Sequence, residues 1–266
     1  MTNRLTQWKD AFPRRARPLL VVGLVAGDPY LEATRTYLDL IIDEGADVVD
    51  VIVPFSEPAF DGPVVRRACK RALSEHVGWD ALLAMIASLR AEHPEIPVVL
   101  TSYLNRILAR GPDRLAAELA QVGVDGLRVR DLPARESEDL STIVENQGVS
   151  LIQTVAPSTG LEDFRKLERA SSGFLIWSGW PGGDQDESNK EIGLWLRELR
   201  QYTALPLVVS MSIESGAQAA RIAGAANGVV VEAALAWLIE GMGPNVEDRI
   251  RAFVADLRTS LDALAG

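Results

Sequence analysis

The feature that most constrains the fold is a repeated alternation. Short β-rich apolar runs begin near Leu19, Asp47, Pro97, Val124, Val149, Gly173, Pro206 and Asn227. Longer amphipathic stretches separate them: Leu31 to Glu44, Val64 to Ser74, Trp79 to Glu92, Asp113 to Gln121, Glu136 to Asn146, Leu161 to Ala170, Glu191 to Tyr202 and Glu214 to Ala223. Gly or Pro punctuates most junctions, as at Gly45, Pro97, Gly123, Gly148, Gly173 and Pro206. Runs that are apolar throughout belong to a sheet buried on both faces. Eight such βα units in about 250 residues is the count of a closed (β/α)8 barrel. An open doubly wound sheet is the alternative, but no G-x-G-x-x-G follows the first run. The reading is therefore one α/β barrel domain over residues 1–266. Within it, 1–17 form an extra helix plugging the barrel floor, 18–266 form the barrel, and 244–264 are a long closing helix.

Composition excludes several classes of function. A net charge of −10 argues against nonspecific nucleic-acid binding and against attachment to anionic lipid. The single cysteine, Cys69, fits a reducing compartment and leaves no intrachain disulfide framework. The apolar run Leu19 to Ala26 is interrupted by Gly23 and is too short to span a bilayer. With no signal peptide visible, the expected location is the cytoplasm.

Candidate chemistry gathers at the second apolar run. It carries one acid, Asp50, in its middle, and breaks at Pro54 into a turn-rich loop holding a second acid, Asp61. A carboxylate in an apolar strand is costly to desolvate unless it is paired, so it signals chemistry or a structural ion pair. In a barrel of this kind the active site lies at the C-terminal ends of the strands, where both acids fall.

The segment from Val48 to Pro63 closely resembles the acid-bearing strand and loop of the tryptophan synthase alpha subunit family, which reads acid-x-x-VPFSDPxxDGP. Four further stretches match that family in order. They are Gly23 to Pro29, Tyr103-Leu104-Asn105, Asp131-Leu132-Pro133 and Ala156-Pro157-Ser158-Thr159; the acid-loop match also continues from Asp61 to Ala68. The resemblance implies a retro-aldol cleavage of indole-3-glycerol phosphate without a cofactor or metal. Asp50 would be the general acid/base that protonates the indole ring carbon and takes the glycerol hydroxyl proton. Asp61 would stabilise positive charge on the indole nitrogen, and Tyr103 would hydrogen-bond near Asp50. The family has Glu where this chain has Asp50. Retracting a carboxylate by roughly 1.5 Å can cost on the order of 100-fold in rate.

Two parts of the family pattern are altered. At the phosphate site, the glycines expected after strand 7 give way to Ser210, Met211 and Ser212, and the Gly-Ser expected after strand 8 reads Glu232-Ala233. The loop after strand 6 keeps Gly182 and Gly183, as an anion nest or as a plain turn. At the indole pocket, Gly23 stands in place of Phe, while Thr101, Thr154, Arg128 and Arg130 stand in place of apolar residues or Pro. Residues 128 and 130 share a face of their strand. If that face is the interior, the two arginines either clamp an anionic substrate or close an ion network with Asp50, Asp61 or Glu232. Trp177 and Trp180, read as part of the loop after strand 6, either stack on a flat ligand or pack.

His76 and His93 read as solvated helix-end residues, Cys69 as a small buried residue, and the acidic run Asp184 to Glu187 as a solvated loop tip. The first functional reading is an acid/base carbon–carbon lyase repurposed for a polar or anionic small molecule. The alternatives are an inactive alpha-like subunit that binds or activates a beta-type partner, a cyclase or isomerase of specialised metabolism, and, ranked last, a genuine indole-3-glycerol-phosphate lyase. The partner-facing loop keeps Pro54, Glu57 and Pro58.

Overall fold

A computed structural model describes residues 3–11, 17–179, 185–241, 243 and 245–264, with backbone alone for 8–11 and 185–191. Eight strands form a closed parallel barrel in chain order: β1 (Leu19–Val25), β2 (Val48–Ile52), β3 (Val98–Ser102), β4 (Gly126–Val129), β5 (Ser150–Val155), β6 (Leu175–Ser178), β7 (Leu207–Ser210) and β8 (Gly228–Val231). β8 closes on β1 with Leu19 opposite Gly228 and Val22 opposite Val231. Every expected strand is present, so the chain is a (β/α)8 barrel.

Alternation along the strands sorts side chains into two layers. Outward residues such as Leu20, Val22, Val49, Val51, Leu100 and Leu127 form the main core against the surrounding helices. Inward residues such as Val21, Val48, Val99, Ile152, Val208 and Val230 fill the barrel's lower interior.

The floor is closed as expected. Helix α1 (Arg4–Ala11) places Leu5 in the interior cluster, 1% exposed. Burying such a side chain stabilises by about 1.5–3 kcal/mol. The helix start is tied to the barrel by Asp125, whose Oδ1 accepts from the Arg4 backbone N–H at 3.0 Å and from Arg4 Nη1 at 3.1 Å. Gly126 makes room above it, since a Cβ there would meet Leu5 Cδ1 at 2.9 Å.

The outer helices are α2 (Leu31–Asp43), α3 (Pro63–Ser74), α4 (Trp79–Glu92), α5 (Leu104–Arg110), α6 (Pro112–Val122), α7 (Ser137–Glu145), α8 (Leu161–Arg169), α9 (Gln185–Leu199), α10 (Gly216–Ala223), α11 (Ala233–Glu240) and the closing α12 (Val246–Asp262). The periodicity reading did not separate α5 or α11. It also placed the start of α9 too late. Most of the acidic run read as a loop tip, Gln185 to Glu187, is the first turn of α9. Acids there are favoured by the helix dipole. Asp184 lies outside the described residues.

Two surface expectations resolve differently. His76 is exposed, whereas His93 is part-buried, with Nε2 2.7 Å from Asp39 Oδ1. Cys69 is buried on the inner face of α3, as expected. Among the described residues, no helix is long and apolar enough to cross a membrane.

Candidate active site

The C-terminal mouth of the barrel carries a layer of polar residues directly above the apolar interior. Asp50 stands one alternation above Val48, Thr101 above Val99, Arg128 above Gly126, Thr154 above Ile152, and Glu232 above Val230. The same parity brings Ser210 inward from β7, half-buried. It follows from strand pleating alone that these groups converge.

They converge into one ion network. Arg128 Nη1 donates to Glu232 Oε1 at 2.6 Å and lies 3.6 Å from Asp50 Oδ2. Arg130 Nη2 donates to Glu232 Oε2 at 2.7 Å, and its Nε lies 3.2 Å from Asp61 Oδ1. The Glu232 carboxylate is thus held by a guanidinium on each oxygen. Thr101 donates to Asp50 Oδ2 at 2.8 Å, and Arg128 Nε donates to Thr154 Oγ1 at 3.4 Å. Of the two readings of the arginines, the closed network is the one observed. Among the described residues, Asp50 Oδ1 has no hydrogen-bond partner.

Asp61 reaches the network from the loop after β2. Gly62 caps α3 and Pro63 opens it, which turns the preceding carboxylate back over the mouth. Tyr103 was expected to bond near Asp50. Instead its hydroxyl donates to Asp61 Oδ2 at 2.7 Å and accepts from the Phe60 backbone N–H at 3.1 Å. Its ring stacks on Phe55 at 4.8 Å, which pins the loop to the barrel.

Burial and charge set the proton affinities. Burial, then the neighbouring charge of Glu232, raise Asp50 to about 6, against the opposing pull of Arg128, Thr101 and Arg130. Burial also raises Asp61, although Arg130 and the Tyr103 hydroxyl pull it down. For Glu232, burial acts upward, but Arg130 and Arg128 outweigh it and hold the carboxyl below the usual range. The environments therefore separate one acid that is fully ionised from one poised to exchange a proton near neutrality, the usual signature of an acid/base site.

A cavity of about 520 Å³ opens beside the network, lined by Arg128, Arg130, Thr154, Ser158, Thr159 and Ser178 among others. Asp50, Asp61 and Glu232 do not line it. Asp50 is 1% exposed, so a substrate reaches it only when the groups packed around it give way.

Gly23 makes the network possible. It pairs with Asp50 across β1 and β2, and a Cβ at 23 would stand 2.8 Å from Glu232 Cγ. The stem of Glu232 occupies the space a side chain on β1 would need. Overpacking of this kind costs about 1–3 kcal/mol. Gly23→Ala is accordingly expected to lower stability by that amount in urea denaturation; an unchanged midpoint would show that Glu232 moves aside freely.

Three remaining expectations need correction or limits. Trp177 is not in a loop at the mouth. It is the third residue of β6, 1% exposed, and points outward into the main core, because Ile176 takes the inward position. Ser212 is exposed beyond β7 and shares a pocket with Ile213 and Ala233, past the ends of β7 and β8 where the phosphate site is expected, and the network does not include it. Trp180, Gly182 and Gly183 lie outside the described residues.

With this geometry in place, comparison with known proteins is decisive at the level of family. The family model described as tryptophan synthase alpha chain matches residues 11–263. The chain belongs to the tryptophan synthase alpha chain family. That family consists of lyases. A tryptophan synthase alpha chain from Novosphingobium aromaticivorans is 34% identical over 259 residues, covering 97% of each chain. One from Xylella fastidiosa is 36% identical over 256 residues, covering 94% of this chain and 95% of that one. The crystal structure of tryptophan synthase subunit alpha from Legionella pneumophila superposes with a TM-score of 0.91 at 30% identity, covering 99% of this chain and 100% of that one.

Proposed function

We propose that this chain is a carbon–carbon lyase that releases indole from an indole-3-glycerol substrate by acid/base catalysis at Asp50. Its acid form donates a proton to the indole ring carbon that bears the side chain. The resulting carboxylate then takes the proton of the adjacent side-chain hydroxyl. The bond between the two carbons breaks, its electrons return to the ring, and the products are indole and an aldehyde. Asp61, held by Arg130 and Tyr103, balances the positive charge on the ring nitrogen during the step. The observation that carries the reading is a buried inward carboxyl with one unpartnered oxygen and a proton affinity raised to about 6.

Kinship over nearly the full length supports indole-3-glycerol phosphate as the compound to assay first, ahead of the repurposed substrate that the sequence alone ranks highest. A beta-type subunit is the corresponding partner, with the loop around Glu57 as the docking edge. One observation favours a second reading, the same acid pair acting on a more polar substrate. Arg128, Thr101 and Thr154 make the mouth polar where an indole ring calls for apolar walls. Incubation with indole-3-glycerol phosphate and with unphosphorylated indole-3-glycerol, each alone and with a beta subunit, separates the readings. Indole release supports the first. Absence of release, together with retained beta binding, leaves an inactive partner-binding subunit.

The proton affinity of Asp50 gives a pH test. The acid form must donate, so kcat/KM is expected to fall as pH rises through about 6. Glu232→Gln removes a charge that raises Asp50 and should move this limb to lower pH. A profile flat from pH 5 to 8 would assign the proton to another group.

A further inference from the structure

We propose that Glu232 is a specificity-determining residue: its carboxylate is a built-in anion seated between Arg128 and Arg130, so the mouth selects an uncharged, hydroxyl-bearing substrate over a phosphorylated one. The proposal rests on the lyase reading for its choice of compounds, and deepens it by naming what the substrate lacks.

Three observations carry it. The first is occupancy. Each oxygen of Glu232 already accepts a charged hydrogen bond, at 2.6 Å and 2.7 Å, and both arginine side chains are more than nine-tenths buried. Charge-assisted bonds of this length are the strong ones, and an incoming anion must compete with the Glu232 carboxylate for the same two guanidiniums.

The second is the charge count. The network holds the carboxyls of Asp50, Asp61 and Glu232 against the guanidiniums of Arg128 and Arg130, one acid in excess. Among the described residues of the network, neither guanidinium is without a carboxylate partner. With Asp50 in its acid form the count is still only even, two carboxylates against two guanidiniums, and in a poorly screened site adding a dianion to such a cluster is unfavourable.

The third is space. Gly23 leaves open the volume into which the Glu232 stem fits, with Cγ only 2.8 Å from where a Cβ at 23 would be. Charge and cavity are therefore matched across the β1–β8 seam, which lets the Glu232 carboxylate reach both arginines. Beside Arg128, Arg130, Asp131 and Asp163, the adjoining cavity offers neutral hydroxyls from Thr154, Ser158, Thr159 and Ser178, which suit a polyol.

The test compares indole release from indole-3-glycerol and from its phosphate ester, with inorganic phosphate titrated calorimetrically, on the parent protein and on Glu232→Gln. That variant keeps the volume and removes the charge. The parent is expected to cleave the unphosphorylated compound at least as efficiently as the ester, and to give no phosphate binding at millimolar concentration. Glu232→Gln is expected to shift the ratio of kcat/KM values at least tenfold toward the ester and to gain at least tenfold in phosphate affinity, while its effect on the Asp50 proton affinity acts on both compounds alike and cancels in the ratio. A parent protein that prefers the ester by tenfold or more overturns the proposal, whether or not the variant folds. So does a variant with unchanged preference. If neither compound is cleaved by either protein, the lyase reading fails instead. The phosphate titration then decides alone: binding by the parent as tight as by Glu232→Gln overturns the role given to Glu232.

Discussion

Asp50→Asn is expected to reduce indole release by a factor on the order of 100 to 10,000, the usual contribution of one positioned acid or base. The same variant should melt no lower than the parent, and the two results together identify Asp50 as a chemical rather than a structural group. The stability argument runs through proton linkage. The folded-state pKa of Asp50 is raised, to about 6 from an ordinary 3.8. Protonation of Asp50 therefore favours the folded state below the ordinary value, and that contribution is lost as pH rises through about 6. Above pH 6 the parent carries an ionised, buried carboxylate beside Glu232. Asn removes that charge while retaining an oxygen for the Thr101 hydroxyl. Relative to the parent, the variant should thus gain melting temperature at pH 8 compared with pH 5. Turnover within tenfold of the parent would remove Asp50 from the mechanism, and a lower melting temperature at pH 8 would contradict its assigned proton affinity.

The sequence carried the barrel because its signal is redundant. Eight apolar runs and the stretches between them leave few topologies, and errors of two residues at the ends do not matter. It also offered the inward convergence of Asp50, Arg128 and Glu232, as one of two open readings, because strand parity is a local property. Trp177 shows where that logic is fragile. β6 has only four residues, and a one-residue error in where a strand ends moves a side chain from the mouth to the core. The start of α9 was missed because a cluster of acids looks the same on a solvated loop and in a helix's first turn. What no local reading could supply is the match of Gly23 with Glu232. The two departures from the family pattern are visible one by one, but they touch only because β8 closes on β1. The pairing of Tyr103 with Asp61 rather than Asp50 is likewise set by how the loop after β2 folds back, which spacing does not encode.

Arg128→Ala is expected to destabilise the protein by about 3–5 kcal/mol, because it leaves buried carboxylates without their counter-charge. For a domain of this size that corresponds to a fall in melting temperature on the order of 10 °C. The size of the effect comes from what is left behind rather than from the bond that is lost. Arg128 is 1% exposed and touches both Glu232 and Asp50, so its removal strands one ionised acid and raises the proton affinity of a second. Arg130 still holds Glu232 Oε2, but it is shared with Asp61. The double variant Arg128→Ala with Glu232→Ala should therefore be less destabilised than the sum of the two single changes, with a coupling of about 2 kcal/mol or more for groups in direct contact. The excess loss of Arg128→Ala over the double variant should shrink as pH falls and the stranded acids take up protons. Urea denaturation of the four proteins at pH 5 and pH 8 measures each of these quantities. A single variant within 1 kcal/mol of the parent, or additive changes, would mean that Arg128 and Glu232 do not form the closed pair on which the selectivity of the mouth depends.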